Sequence, residues 1–393
     1  MSFPPTLGLG TFAFITLAVV LAAAILTPTW IYARRLGWET VTYLSVTVLS
    51  ALLGAIFWQI TRNLEHFAGI ICVAGFILMT VAAKGLFLGF IEFGVLRALG
   101  LSQVGAIART TYYEALLQPF TSIILLFGLC SIGVAAKLGF FTYNEDFKMY
   151  RDVASSFVFL FALPVMVFAA TRVIDEEIEN RTMLTLMSKP VSRTQVVLGK
   201  YLGVFLLVVA CVGILGLMAA TCGYMRYYDD MRIDYNLAQN NPAGIARLEL
   251  DNVKALLALL PSLVLTFLQV ATLAAISVAV STRFGLAINV TVVVLIYLAA
   301  SLAHYVGQVP ELPVVVRAVI NFFAHILPSL NNLDLNQRLI FSNYILNDSD
   351  WAPSMPTYGM IWQYVGVAVL YSLFYIAAIL SFGVALFRTR ELT

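Results

Sequence analysis

The sequence predicts an all-α polytopic membrane protein. Apolar residues make up 61% of the 393-residue chain and charged residues only 11%, whereas soluble domains contain about 25% charged residues. Several stretches reach the roughly 20 consecutive apolar residues that a spanning helix requires, without the alternation over about ten residues that is typical of membrane barrels. The formal net charge of +2 is too small to indicate a nucleic-acid partner.

We predict nine membrane spans in two groups. Three form an N-terminal extension over residues 1–96, at about Thr11 to Tyr32, Val41 to Ile60 and Phe67 to Ala83. Six form a core over residues 120–393, at about Phe120 to Ala136, Ala154 to Thr171, Tyr201 to Thr221, Ala255 to Ser281, Leu286 to Leu302 and Met360 to Phe387. Arg34 and Arg35 follow the first span, and Arg388 and Arg390 follow the last. The positive-inside rule therefore predicts an outer N-terminus and a cytoplasmic C-terminus in the cell (inner or plasma) membrane.

Residues 97–119 separate the two groups of spans. Polar and apolar residues interleave there at helical spacing, and Pro119 closes the segment. This pattern favours an amphipathic helix on the cytoplasmic surface, and an ordinary inner loop is the alternative.

One polar island, residues 172–200, interrupts the apolar core. Its charged residues are Arg172, Asp175, Glu176, Glu177, Glu179, Arg181, Lys189, Arg193 and Lys200. The stretch from Asp175 to Met187 lacks Gly and Pro, which favours a short helix, and Lys189 and Pro190 then break it. Ser192 and Gln195 have the spacing of a capping box. A second helix is therefore predicted to start there and to continue into the span at Tyr201.

The island carries a family resemblance. The phrase MSKPVSRTQVVLGKYLG, preceded by acids and RT, resembles the segment that joins the second and third core spans of ABC-2-type transporter permeases. The chain from about Ile107 onward resembles the same core: an amphipathic lead-in, six spans and a long loop before the last span. Within the family it looks most like permeases associated with copper-enzyme maturation and gliding motility. The resemblance implies a six-helix subunit that dimerises and whose cytoplasmic elements sit on two ATP-hydrolysing subunits.

The three N-terminal spans have no place in that minimal core. They either pad the subunit against lipid or a partner or serve a role that the sequence does not identify.

On this resemblance, the island is an ATPase-coupling element. The candidate coupling residues are Asp175, Glu176, Glu177, Glu179, Arg181, Lys189, Pro190, Arg193 and Lys200. We hypothesise that the acids meet basic groups of the ATPase. Arg193 and Lys200, seven residues apart and therefore on one helical face, would pair with acids or lipid phosphates.

Two further polar segments are predicted on the outer side. Residues 225–254 contain carboxylates without His or Cys, which favours a solvated loop over a ligand or metal site. Within residues 307–358, Arg317, Asn321 and His325 are spaced four apart, a polar stripe typical of an interfacial or re-entrant segment. Because outer helices cap the translocation path in the resembling family, the stripe is a possible outer gate, with His325 as either a substrate contact or a structural residue.

Several motifs are absent from the sequence. It contains no G-x-x-x-x-G-K-[ST] phosphate loop, no HExxH and no GxSxG, so we expect neither ATP hydrolysis nor other catalysis by this chain. Its four cysteines, Cys72, Cys130, Cys211 and Cys222, lack CxxC spacing, which favours packing roles. We therefore expect no bound cofactor or metal, with ATP used by a partner subunit.

The expected function is that of a permease subunit of an ATP-driven exporter for an unidentified substrate. Its expected partners are an ABC ATPase subunit, a second permease copy in a homodimer or heterodimer, and membrane lipid. The alternative is a non-transporting membrane scaffold or accessory subunit of an enzyme-maturation or motility complex, in which the island is a static binding site.

Overall fold

A computed structural model describes residues 103–137, 146–179, 192–234, 242–306, 327–334 and 358–388. The predicted N-terminal spans, residues 180–191 of the coupling element and the stripe formed by Arg317, Asn321 and His325 lie outside these ranges.

All regular secondary structure in the described ranges is helical, which confirms the predicted all-α class. The helices are α1 (Gln103–Leu117), α2 (Pro119–Lys137), α3 (Asp146–Glu179), α4 (Arg193–Asp234), α5 (Pro242–Ser281), α6 (Leu286–Val306) and α7 (Tyr358–Arg388). A short 3₁₀ helix, Leu330–Leu333, lies between α6 and α7 in sequence.

Each predicted core span falls within one of the helices α2 to α7. Four helices in the described ranges, α3, α4, α5 and α7, are long and apolar enough to cross a membrane. The pair α1 and α2 passes the same criterion together but is bent by 65°, and the apolar part of α6, Leu286–Leu302, is shorter. The polytopic architecture is therefore confirmed, while the count of six core spans stays a prediction.

The bend between α1 and α2 has a local cause at Pro119. Proline has no backbone N–H, so the carbonyl of Ala115 cannot accept the helical hydrogen bond that residue 119 would normally donate. The hydroxyl of Thr121 donates to that carbonyl instead, at 2.9 Å. The chain can therefore turn at Gln118 without leaving the buried carbonyl unsatisfied.

Two helices extend further than the sequence patterns indicated. α3 runs without a break past its apolar window, which ends at Val173, so the backbone of its last two turns carries the acids that were predicted to begin a separate short helix. At the other end of the bundle, α4 continues to Asp234 and α5 starts at Pro242. Much of the predicted loop 225–254 is therefore helical, because residues 225–234 contain neither Gly nor Pro to stop α4.

The core is centred on α4 and α5. In the most apolar stretch of each of these two helices 72% of the residues are buried, against 28% in the corresponding stretch of α7 at the edge of the bundle. We call the end of the bundle that contains the first turn of α4 the proximal end, and the opposite one the distal end. The end of α3, the turn between α5 and α6, and the end of α7 also lie at the proximal end.

Candidate functional site

The first turn of α4 contains the predicted capping box. The Ser192 hydroxyl accepts a hydrogen bond from the backbone N–H of Gln195 at 3.2 Å. The side-chain oxygen of Gln195 accepts one from the backbone N–H of Ser192 at 2.9 Å. Both amides belong to the start of a helix, where no intrahelical acceptor exists. The predicted start of α4 and its continuity with the span at Tyr201 are therefore confirmed.

Arg193 connects the start of α4 to the end of α7. Its Nη1 donates to the carbonyl of Phe387 at 3.0 Å and to the carbonyl of Arg388 at 2.8 Å. The guanidinium carbon also lies 5.8 Å from the centroid of the Phe387 ring. Because the last four carbonyls of a helix lack intrahelical partners, Arg193 satisfies two acceptors that α7 leaves open.

Lys200 connects α4 to α3. Its side chain is only 2% exposed, and Nζ donates to the carbonyl of Val173 at 3.0 Å. A buried ammonium requires such an acceptor, since burial removes its hydration. Both bases thus donate to backbone carbonyls of neighbouring helices within the chain. That Lys200 and Arg193 also pair with acids or lipid phosphates stays a prediction.

Helix α1 lies against the same turns of α4 through two glycines four residues apart. A β-carbon built on Gly203 would lie 2.5 Å from Cβ of Thr111 and 2.8 Å from the carbonyl oxygen of Ala108. One built on Gly199 would lie 2.8 Å from Cβ of Ile107. This is the close backbone approach that Gly-x-x-x-Gly spacing permits between membrane helices. This contact was not predicted from the sequence, although the spacing of Gly199 and Gly203 was a usable signal for it.

The two faces of α1 differ as an amphipathic helix requires. Buried side chains on one face are Ile107, Ala108, Thr111, Tyr112 and Ala115, while Gln103, Arg109, Thr110 and Glu114 are exposed on the other. A helix, Gln103–Leu117, thus lies within the predicted segment 97–119. Its role as an amphipathic helix on a membrane surface stays a prediction.

A buried amide joins three further helices near the proximal end. Asn289 of α6 donates through Nδ2 to the hydroxyl of Thr171 in α3 at 2.6 Å and to that of Ser277 in α5 at 2.8 Å. All three side chains are fully buried. The proximal ends of α3, α5 and α6 are thus held together by polar contacts as well as by apolar packing.

The distal half of the bundle contains a different feature, residues 327–334, which we call the distal segment. Gln269 of α5 donates to the carbonyl of Leu330 at 3.0 Å, and Asn331 donates to the carbonyl of Ser301 in α6 at 3.2 Å. On α7, the hydroxyl of Tyr371 accepts from the Ser329 amide at 3.0 Å, and that of Tyr364 donates to the Asn332 carbonyl. Leu330 and Leu333 are buried. The distal segment is therefore held by side chains or carbonyls from three helices.

The depth of the distal segment follows from its partner on α5. Gln269 lies twelve residues before Ser281, the proximal end of α5, which corresponds to about 18 Å along the helix. The part of α5 that is apolar enough to cross a membrane extends over Asn252–Ser281, so Gln269 is near the middle of this part. The distal segment thus lies at about half the depth of the bundle. The re-entrant character predicted from the stripe of Arg317, Asn321 and His325 stays a prediction, because these residues lie outside the described ranges.

The other predicted site residues divide into two groups. Asp175, Glu176, Glu177 and Glu179 belong to the backbone of the last two turns of α3, next to the start of α4. Arg181, Lys189 and Pro190 lie outside the described residues, as does the stripe formed by Arg317, Asn321 and His325. Within the described ranges, no group of three or more His, Cys, Asp or Glu side chains could hold a metal ion.

Comparison with known families gives one finding that fits this arrangement. A family model described as "ABC-2 family transporter protein" matches residues 135–381, more than half of the chain. The match extends from the end of α2 into α7 and includes the start of α4, its contact with Val173 of α3 and the distal segment, whereas α1 and the end of α7 lie outside it. No curated protein and no solved structure is significantly similar to the chain.

Proposed function

The chain belongs to the ABC-2 transporter family and is a permease component of an ABC transporter, and from this premise we propose that it exports a substrate with energy from a separate ATP-hydrolysing subunit. In this proposal two permease copies, in a homodimer or heterodimer within the lipid bilayer, stand on two ATPase subunits. ATP binds to the ATPase subunits, and the permease itself binds no cofactor. The observation that carries the proposal is the continuous helix α4, which begins at the capped coupling element and crosses the bundle.

The proposal assigns the proximal end to the cytoplasm of the cell, or inner, membrane, with an outer N-terminus and a cytoplasmic C-terminus. The acids Asp175, Glu176, Glu177 and Glu179 at the end of α3 meet basic groups of the ATPase. Arg181, Lys189 and Pro190 complete the docking element between α3 and α4. Because α4 is one helix from Arg193 to Asp234, a displacement of its first turn tilts the span behind it.

The distal end contains the outer gate in this mechanism. The distal segment lies at mid-depth in the bundle, and its hydrogen bonds to α5, α6 and α7 join neutral groups that exchange partners during transport. The neighbouring stripe of Arg317, Asn321 and His325 forms the polar rim of this gate, with His325 as a candidate substrate contact. Substrate leaves when the distal segment separates from α5, α6 and α7.

Reversing two adjacent acids tests the docking assignment. We expect Glu176→Lys with Glu177→Lys to abolish transport-coupled ATP hydrolysis in the reconstituted complex, because like charges then face each other across the interface. Membrane insertion of this variant should be retained. A matched control is Asp229→Lys with Asp230→Lys, an adjacent acidic pair in the distal part of the same helix α4. Unchanged hydrolysis and assembly in the Glu176/Glu177 variant would show that the docking assignment is wrong.

Co-purification separates transport from the scaffold alternative. An ATPase subunit with a phosphate loop, recovered at two copies per two permeases, supports the transporter. Recovery of the permease with other proteins and without such an ATPase supports a scaffold.

A further inference from the structure

Arg193 occupies the first position of α4, where a positive charge is unfavourable for its own helix. The start of a helix carries a partial positive charge, and the first turn of α4 contains no acidic residue to compensate. The same guanidinium lies at the end of α7, where a helix carries partial negative charge and open carbonyls. The position of Arg193 is therefore explained by its contact with α7, not by the stability of α4.

Helix α7 is a direct route from this contact to the distal segment. It is continuous over Tyr358–Arg388 and contains no proline. Phe387, whose carbonyl accepts from Arg193, is 16 residues from Tyr371 and 23 from Tyr364, or about 24 Å and 35 Å along the helix. Both tyrosines hydrogen-bond to the backbone of the distal segment. One rigid element thus contacts the coupling element at one end and the distal segment near the other.

The proximal part of α7 also packs closely against α5. A β-carbon built on Gly383 would lie 2.9 Å from Cβ of Ala279, so the two backbones approach closely there. Such a contact can act as a pivot, because a displacement of the end of α7 on one side of it moves the tyrosines on the other side. The pivot lies four residues from Phe387 and twelve from Tyr371, so a small proximal shift is enlarged at the distal segment.

We propose that Arg193 is a positioning residue that couples the start of α4 to α7, so that motion at the coupling element reaches the distal segment through α7. The inference rests on the proposed function, and it replaces the outward docking role predicted for Arg193. In this mechanism α4 and α7 move together at the proximal end. The gate then responds through the hydroxyls of Tyr364 and Tyr371.

The first experiment measures the contact without any ATPase. Spin labels are placed at Leu198→Cys on α4 and Phe382→Cys on α7, which are 37% and 60% exposed, in a background without Cys72, Cys130, Cys211 and Cys222. The purified permease in lipid nanodiscs should give a single narrow interlabel distance. Arg193→Ala should lose that distance and give a broad distribution, while the control Arg109→Ala, which removes an exposed arginine of α1, should retain it. A narrow distance in Arg193→Ala would overturn the proposal.

A second variant covers the case in which Arg193→Ala does not fold. Arg193→Gln is neutral and too short to reach both carbonyls, so it should also broaden the distribution. If Arg193→Gln retains the narrow distance of the parent, the proposal is wrong.

The second experiment measures coupling in the complex with the ATPase. A cysteine at Ser329 in the distal segment reports its opening to a membrane-impermeant maleimide, and the quantity compared is ATP-dependent labelling per ATP hydrolysed. We expect this ratio to fall about fivefold or more in Arg193→Ala and to stay at the parent value in Arg109→Ala.

If Arg193→Ala instead prevents the ATPase from binding, Arg193 is a docking residue and the proposal is overturned. If no ATPase binds the parent permease, the proposed function fails, and the spin-label result alone decides whether Arg193 joins α4 to α7.

Discussion

The proximal contacts of α4 and the contacts of the distal segment differ in kind. At the proximal end, α4 approaches α1 so closely at Gly203 that no β-carbon fits, and it binds α3 and α7 through the charged side chains of Lys200 and Arg193. The distal segment forms hydrogen bonds between neutral groups with α5, α6 and α7 and contains two buried leucines. Hydrogen bonds from charged donors contribute about 1.5–3 kcal/mol, against about 0.5–1.5 kcal/mol for neutral ones.

We expect this difference to separate the part that transmits motion from the part that opens. Interlocked backbones switch between discrete arrangements and do not deform gradually, so α1, α4 and the end of α7 that Arg193 contacts are expected to move as one body, with α7 pivoting on α5 at Gly383. A short segment whose hydrogen bonds to α5, α6 and α7 join neutral groups is expected to open at a lower free-energy cost than the charged contacts of α4. Three substitutions test this difference.

The largest effect is expected at the glycine crossing. Gly203→Ala places a methyl group 2.8 Å from the backbone oxygen of Ala108, which cannot rotate away, so the two helices must separate. We expect a loss of about 1–3 kcal/mol in stability, as for other overpacked contacts, measured as a lower thermal unfolding midpoint in detergent micelles. Gly366→Ala is the matched control, because a β-carbon there has no neighbour within 4 Å. Equal midpoints for the two variants would show that the crossing is not tight.

A smaller effect, confined to the distal segment, is expected for Gln269→Leu. The substitution removes the donor to the Leu330 carbonyl, which lowers the free energy of opening the distal segment by about 1 kcal/mol and leaves the proximal contacts intact. Maleimide labelling of Ser329→Cys should therefore become roughly fivefold faster. Gln363→Leu, the same replacement at an exposed position of α7, should leave labelling unchanged. If Gln269→Leu labels at the parent rate, Gln269 does not hold the segment.

The smallest effect is expected for the capping box. Ser192→Ala removes the acceptor for the Gln195 amide and should cost about 1 kcal/mol or less, whereas Ser192→Gly should cost only a few tenths. The thermal unfolding midpoint of each variant checks this order. A loss in Ser192→Ala as large as that in Gly203→Ala would mean that capping, not helix crossing, dominates proximal stability.

What the sequence could predict depended on how far apart the interacting residues lie. The start of α4 was predictable because the capping box involves Ser192 and Gln195, three residues apart. The class of fold was predictable because span length and apolar content are local properties. The contacts of the Arg193 and Lys200 side chains were not predictable, and the coupling role of these residues stays a prediction. Their acceptors, Phe387 and Val173, come from other helices, and only packing brings them together.

The distal segment illustrates the same limit. Gln269 was visible as a polar residue in the middle of an apolar run, and such a side chain requires a partner. Its partner, the Leu330 carbonyl, is 61 residues away and is a backbone group, which no residue type reveals. The helical extension of α3 through its acids was also not evident, because loss of apolar character marks the end of a span and not the end of a helix.

Hydrogen–deuterium exchange of the complex with its ATPase, with and without ATP, shows which part of the permease opens. We expect ATP to increase exchange at the backbone amides of residues 327–334, because the distal segment separates from α5, α6 and α7. Residues 193–203 should keep the same protection in both states, since α4 moves together with α1 and the end of α7. Faster exchange at residues 193–203, with no change at residues 327–334, would show that the proximal contacts open instead of the distal segment.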